Sequence, residues 1–253
     1  MLFYWFLKFV AIGPAVRVLF RPRAEGVEHV PASGAAILAS NHLSAADWIF
    51  MPLSIRRRVT FLAKAEYFTG TGVKGFLQRA FFSGAGQVPI DRTSASAAED
   101  AIQTGLGILR DGKLLGIYPE GTRSPDGRLF RGKIGVARMA LQTGVPVVPV
   151  AMCYSHQKLP FGKKIMRVKV RFGEPLDFSR YEGLAGDRFV ERSITDEIMY
   201  EIMTLSGQEY VDVYGATVKK SMTAGSSSAA DAVATLQPPV TEAADRAPTT
   251  LAG

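Results

Sequence analysis

Cysteine is nearly missing from this chain. Cys153 is the only one, so an internal disulfide is excluded and the redox compartment stays open. Histidine is almost as scarce: His29, His42 and His156, with that single cysteine, argue against a His/Cys zinc site. Uninterrupted long apolar runs are also absent. Residues 1–20 are apolar and aromatic, but Lys8 and Gly13-Pro14 break them up, and a membrane span wants about 20 continuous apolar residues. No basic residue precedes this run and no small-x-small site closes it, which argues against a secretory signal. No helix-turn-helix, RNA-binding or zinc-finger signature accompanies the basic residues, so nucleic acid is the weaker choice of partner. From Ser221 onward there is no aromatic residue at all.

What is there is globular composition with a basic balance. Lys and Arg number 30 against 23 Asp and Glu, a formal charge of +7. Such a surface suits anionic lipid or a small phosphorylated substrate. At the N-terminus, Phe3, Tyr4, Trp5, Phe6 and Phe9, with Lys8, Arg17, Arg21 and Arg23, predict a segment lying in a bilayer interface. The reading divides the chain into an apolar interfacial segment (1–24), one large α/β domain (25–220) and a disordered Ala/Ser/Thr/Pro tail (221–253).

From residue 34 the chain alternates apolar strands with helical stretches. Strands are predicted at 34–39, 59–63, 87–90, 113–118 and 145–150, with a half-exposed one at 165–172. Helices are predicted at 73–82, 96–111, 133–143 and 187–205. Repeated strand-then-helix order with near-continuous apolar strands gives an α/β fold, a mostly parallel central sheet flanked by helices. Pro146 and Pro149 predict an irregular or edge position for the strand that holds them.

The chain is organised around Ser40-Asn41-His42-Leu43-Ser44-Ala45-Ala46-Asp47, at the end of the first of those apolar strands. Residues five apart on a helix are turned by about 140°, so His42 and Asp47 share no helical face. They meet only if His42 lies in the turn ahead of the helix. Ser44 followed by Asp47 fits a capping box, with Ser44 as N-cap. Asp47 then reaches back to one imidazole nitrogen and leaves the other free to accept a proton, as in an oriented general base. Asp47 by itself would serve equally as a cap partner at the positive helix end.

Other polar clusters also fall just after predicted strands: Lys64, Asp91-Arg92, and Glu120-Gly121-Thr122-Arg123. Parallel sheets bind ligands along that edge. Arg123 offers a rigid fork for phosphate, Lys64 and Arg92 add point charge, and Gly121 allows close backbone approach. Glu120 could accept from a hydroxyl or hold Arg123. Together these residues favour an anionic substrate.

At this point Asn41-His42 with Asp47 resembles the first motif of the glycerophospholipid acyltransferases, the family of 1-acylglycerol-3-phosphate (lysophosphatidic acid) acyltransferases. Gly86 with Pro89-Ile90-Asp91-Arg92 resembles their second block. Pro119-Glu120-Gly121-Thr122-Arg123-Ser124 with Phe130-Arg131-Gly132-Lys133 resembles the third, and Val145 to Val150 the fourth. The resemblance implies that His42 deprotonates the free hydroxyl of a lysophospholipid while Asp47 holds the imidazole. The oxygen then attacks an acyl thioester, on CoA or acyl carrier protein, directly, giving phosphatidic acid. It implies Arg123 on the substrate phosphate with Lys64 and Arg92 in support, Glu120 on the glycerol portion, and Gly121 and Thr122 in the same binding loop. No cofactor or metal is expected, since the thioester co-substrate is already activated. Expected partners are the lysophospholipid, the acyl donor and an anionic membrane surface, with no nucleic acid. The expected placement is monotopic or peripheral, on the cytoplasmic face. Glycerol-3-phosphate, another lysophospholipid or a glycolipid are alternative acceptors. A hydrolase would use the same dyad, and a non-catalytic lipid-binding protein would explain the N-terminus but not His42 and Asp47 beside Arg123.

Overall fold

The structure, a computed structural model, describes residues 2–91, 96–158, 164–225 and 228–237. Arg92 therefore lies outside the described residues. Seven strands form one sheet in the order β1 (Arg23–Glu25), β8 (Lys164–Phe172), β7 (Val147–Lys158), β2 (Ala36–Ser40), β5 (Leu114–Ile117), β3 (Val59–Lys64) and β4 (Gln87–Ile90). From β7 to β4 every neighbouring pair is parallel; β8 runs antiparallel to β7, and β1 parallel to β8. This is the predicted α/β sheet.

Helices cover both faces, and the strand side chains alternate between them. Ile37 and Ala39 of β2 pack with Leu106 of α5 (Ala97–Arg110), Met139 of α6 (Gly135–Thr143) and Ile198 of α7 (Arg188–Ser206). Ala36 and Leu38 face the other way, to Phe50 and Met51 of α3 (Asp47–Ser54). All five β2 residues are buried, as a central parallel strand requires. Each fully buried Ile or Leu there contributes roughly 1.5–3 kcal/mol of transfer free energy.

The strand carrying Pro149 is not at an edge: β7 sits between β8 and β2. Its proline is tolerated because residue 149 turns its carbonyl toward Gly173, which donates to it at 2.8 Å just past the last β7–β8 pair, Val150 with Phe172. The missing N–H faces the same side, where the ladder has ended. Pro89 does lie on an edge strand, β4.

The N-terminus differs from expectation in two ways. The helical run Leu2–Phe20 passes through Gly13-Pro14, and by length and composition alone it is long and apolar enough to cross a membrane. A π turn over Leu7–Ala11 joins α1 (Leu2–Phe6) to α2 (Gly13–Phe20), with Ile12 N donating to Leu7 O, and Pro14 occupies the first turn of α2, where its missing N–H is not needed. Lys8 turns inward rather than toward an interface. It is buried, and its ammonium donates to the Ile55 carbonyl at the C-terminal end of α3, where unpaired carbonyls favour a cation.

The predicted tail from residue 221 is corrected over its first part. Helix α8 (Gly215–Thr223) crosses that boundary, and α9 (Ala229–Leu236) follows it, with Ser228 as N-cap accepting from Asp231 N. Ala229, Ala232 and Val233 pack on Phe130 of β6 (Leu129–Phe130), Val211 of β9 (Tyr210–Val211) and Val218. Small apolar residues suffice because the partners, not the helix itself, supply the burial. Residues 238–253 lie outside the described residues.

Candidate active site

His42 and Asp47 meet at the carboxyl end of β2. His42 Nδ1 lies 2.8 Å from Asp47 Oδ2. A carboxylate only accepts, so Nδ1 carries a proton, and in the neutral imidazole Nε2 is the nitrogen with the lone pair. Asp47 is fully buried while the His42 side chain keeps 19% exposure, so the carboxylate is the fixed partner and the imidazole faces the opening. The same Oδ2 accepts from Leu43 N at 2.8 Å and Ser44 N at 2.9 Å. Tyr154 of β7 donates its hydroxyl to Oδ1. These donors fix the orientation of the carboxylate before it meets the imidazole.

The local route to this geometry is not the one the capping box predicts. Ala46, not Ser44, holds the N-cap position, and α3 begins at Asp47 itself. Ser44 instead accepts from Ala46 N through its hydroxyl, at 3.2 Å. The box is half present, since Asp47 does reach back to the Ser44 amide; the tight turn simply delays the helix by two residues.

Two further contacts hold the imidazole. The Tyr118 ring, just past β5, stacks on it with centroids 4.0 Å apart and planes at 13°. The loop after β5 grips the His42 backbone at both ends: Glu120 Oε1 accepts from His42 N at 3.0 Å, and Ser124 N donates to His42 O at 2.7 Å. Asn41 pins the turn from the other side. Its amide exchanges two hydrogen bonds with the Met152 backbone, extending the β2–β7 ladder by one side chain, and donates to Gln208 at 2.6 Å.

The predicted binding residues divide by place. Both Glu120 oxygens are taken by backbone amides, His42 N and Phe130 N, and the residue is 1% exposed. It braces the two loops rather than presenting a carboxylate to the opening. Burial pushes its pKa up to about 7, against the two amides, with Asp47 adding to the rise and Lys219 opposing it. Arg123 is exposed beside that brace, and its guanidinium makes no hydrogen bond or ion pair among the described residues. Gly121 adopts φ +70°, a left-handed backbone that favours glycine, and a Cβ there would come within 3.2 Å of the Lys133 ammonium. Thr122 accepts from Lys219 Nζ at 2.9 Å. Lys64 ends β3 on the same rim, separated from β2 by the single strand β5, about 10 Å at ordinary strand spacing.

Four residues were not singled out from the sequence: Tyr118, Tyr154, Gln208 and Lys219. Tyr118 precedes the Pro119 block directly and could have been read with it. The others arrive from β7, the segment after α7, and α8, with no local pattern to mark them. Cys153 lies half-buried in β7, and burial raises its thiol pKa, so it is not an activated nucleophile.

At this rim of the parallel sheet the imidazole is oriented by a buried carboxylate, and the loop that carries the exposed Arg123 bonds to the His42 backbone through Glu120 and Ser124. Comparison with known proteins gives the family. The sequence model of the Acyltransferase family matches residues 21–153, and the chain belongs to that family. The chloroplastic 1-acyl-sn-glycerol-3-phosphate acyltransferase of Arabidopsis thaliana is 30% identical over 190 residues, covering 73% of this chain and 52% of that one. The 1-acyl-sn-glycerol-3-phosphate acyltransferase of Bacillus subtilis is 30% identical over 154 residues, 59% of this chain and 70% of that one. A crystal structure of the 1-acyl-sn-glycerophosphate acyltransferase of Thermotoga maritima has a TM-score of 0.47 at 24% identity, covering 79% of this chain and 87% of that one. The chain spans about half the length of the plant relatives it matches.

Proposed function

We propose that this protein acylates the free hydroxyl of 1-acylglycerol-3-phosphate from an acyl thioester, acyl-CoA or acyl carrier protein, giving phosphatidic acid for phospholipid synthesis. The observation that carries the reading is the His42–Asp47 pair held by the same loop that projects Arg123. His42 Nε2 takes the hydroxyl proton as the oxygen forms its bond to the thioester carbonyl. The carbon–sulfur bond then breaks, and the departing thiolate takes the proton back from the imidazolium, whose charge Asp47 stabilises meanwhile. No covalent enzyme intermediate is needed. Arg123 binds the acceptor phosphate as a bidentate donor, with Lys133 over Gly121 and Lys64 on the neighbouring strand adding positive charge.

The lipid nature of both substrates is supported by the apolar surface near the dyad. Trp48, next to Asp47, packs edge-on to Phe81 of α4 (Gly72–Gly84) and lies 6.0 Å from Phe82, which stacks on Tyr67. Val73, Phe76 and Leu77 of α4 are exposed, as are Phe6, Phe9 and Val10 of the N-terminal run. That run packs its other side on the domain: Phe20 meets Phe50 edge-on, and Tyr4 and Lys8 are buried. An element with one face on protein and one apolar face open suits a monotopic placement in the surface of a membrane.

The test is product analysis by mass spectrometry with lysophosphatidic acid and acyl-CoA, for the wild type and His42→Ala. Phosphatidic acid from the wild type and a loss of about 10²–10⁴-fold in the variant are expected. Thioester loss without any acceptor, at an undiminished rate, would instead identify a hydrolase.

A further inference from the structure

Beyond the matched residues 21–153, helix α8 delivers a side chain into the loop that carries Arg123. Gly215, its first residue, is buried against that loop: a Cβ there would lie 3.3 Å from Thr122 Cγ2 and 3.4 Å from Phe130 Cβ. The helix therefore starts in direct contact with Thr122. Lys219 follows four residues later on the same face, and its ammonium donates to Thr122 Oγ1 at 2.9 Å. Val218 anchors the helix beside it, fully buried with Phe130, Val211 and Val233.

We propose that Lys219 is a binding residue for the acceptor phosphate, the partner of Arg123 in a two-cation cradle closed by the C-terminal helices. This rests on the acceptor reading given above. An ammonium has three protons to donate. Thr122 takes one, and the others meet no acceptor among the described residues. Lys219 is half-buried, and its pKa is lowered first by burial and then by the neighbouring Arg123, against the attraction of Glu120. Two cations held near each other, one of them partly desolvated, cost free energy that a doubly charged ligand recovers. A phosphate monoester near neutral pH carries between one and two negative charges. A lysine used only to pin α8 would need neither its spare donors nor Arg123 beside it.

The test uses the full chain with Lys219→Met, which keeps the packed stem and removes the charge, and Lys219→Arg, which keeps the charge. Steady-state acylation of lysophosphatidic acid is measured alongside thermal protection by titrated glycerol 3-phosphate. Lys219→Met is expected to raise KM for lysophosphatidic acid, and the glycerol 3-phosphate needed for half-protection, by about 10-fold or more, the scale of a hydrogen bond to a charged group. Its kcat should change far less, and Lys219→Arg should recover most of the loss. A lower Tm for Lys219→Met with wild-type KM and wild-type protection would overturn the proposal and leave Lys219 a mere anchor. Should Lys219→Met fail to fold, Thr122→Val, which frees the ammonium from its hydroxyl, is expected to weaken protection several-fold; unaltered protection would count against the cradle. If the wild type itself neither acylates lysophosphatidic acid nor is protected, the acceptor reading fails, and that outcome is distinct from failure of the Lys219 assignment alone.

Discussion

Tyr154 donates its hydroxyl to Asp47 Oδ1, on the opposite side of the carboxylate from the oxygen that holds His42. Three side chains, from β7, the start of α3 and the turn after β2, thus form one hydrogen-bonded line ending at the free imidazole nitrogen. Tyr154→Phe removes only the far end of that line. Because the phenol orients the carboxylate rather than the substrate, kcat should fall about 10-fold with KM little changed. A change confined to KM would show that Tyr154 meets the substrate instead.

Asp47→Asn tests the middle of the line. An amide cannot stabilise the imidazolium as a carboxylate does, although with its NH2 group turned to the Tyr154 hydroxyl, which can accept, its carbonyl still accepts from His42, Leu43 N and Ser44 N. The expected loss is about 10²–10⁴-fold in kcat, with the fold retained. Wild-type turnover in a folded variant would exclude Asp47 from the mechanism.

Glu120 predicts a pH dependence of stability. Its folded-state pKa, about 7, lies above the ordinary carboxylate value, so the folded protein holds a proton that the unfolded chain releases. This contribution is complete below the ordinary carboxylate pKa and is lost as pH rises through about 7. Urea unfolding between pH 5 and 8 should show a decline for the wild type that is smaller in Glu120→Gln. Parallel profiles would refute the assignment.

Arg123→Ala should barely alter the free energy of unfolding, within about 0.5 kcal/mol, since the side chain is exposed and makes no hydrogen bond or ion pair among the described residues. Its effect belongs to recognition: kcat/KM for lysophosphatidic acid should drop about 10–100-fold. Equal losses for an acceptor lacking phosphate would place the guanidinium elsewhere in the reaction.

Phe6 and Phe9 are each half-exposed on the open face of the N-terminal run. Phe6→Asp with Phe9→Asp should abolish sedimentation with anionic vesicles while leaving the far-UV spectrum and Tm near the wild type. Vesicle binding that survives both changes would mean that this face does not contact lipid.

The sequence by itself determined the alternation that makes the sheet parallel and the loops at the carboxyl ends of β2, β5, β3 and β4. It also put His42 and Asp47 on one turn, but left open whether Asp47 meets the imidazole or serves only as a cap partner at the helix end. Local signals of this kind work where the partners are near in sequence, as in α7, where Asp187 caps Phe189 N and Val190 N. Tertiary structure alone decided what reaches the site from afar. Tyr154 stands 107 residues from Asp47, and Lys219 stands 97 from Thr122; no periodicity links such positions. Glu120 reads as a ligand in a motif until packing hands its oxygens to two amides. Lys8 reads as a surface cation until α3 offers it the Ile55 carbonyl. Helix α9 has the composition of a tail and becomes ordered structure only because Phe130 and Val211 wait to be covered. In each case the deciding term was burial against a distant partner, whose free energy exists only once the chain has closed on itself.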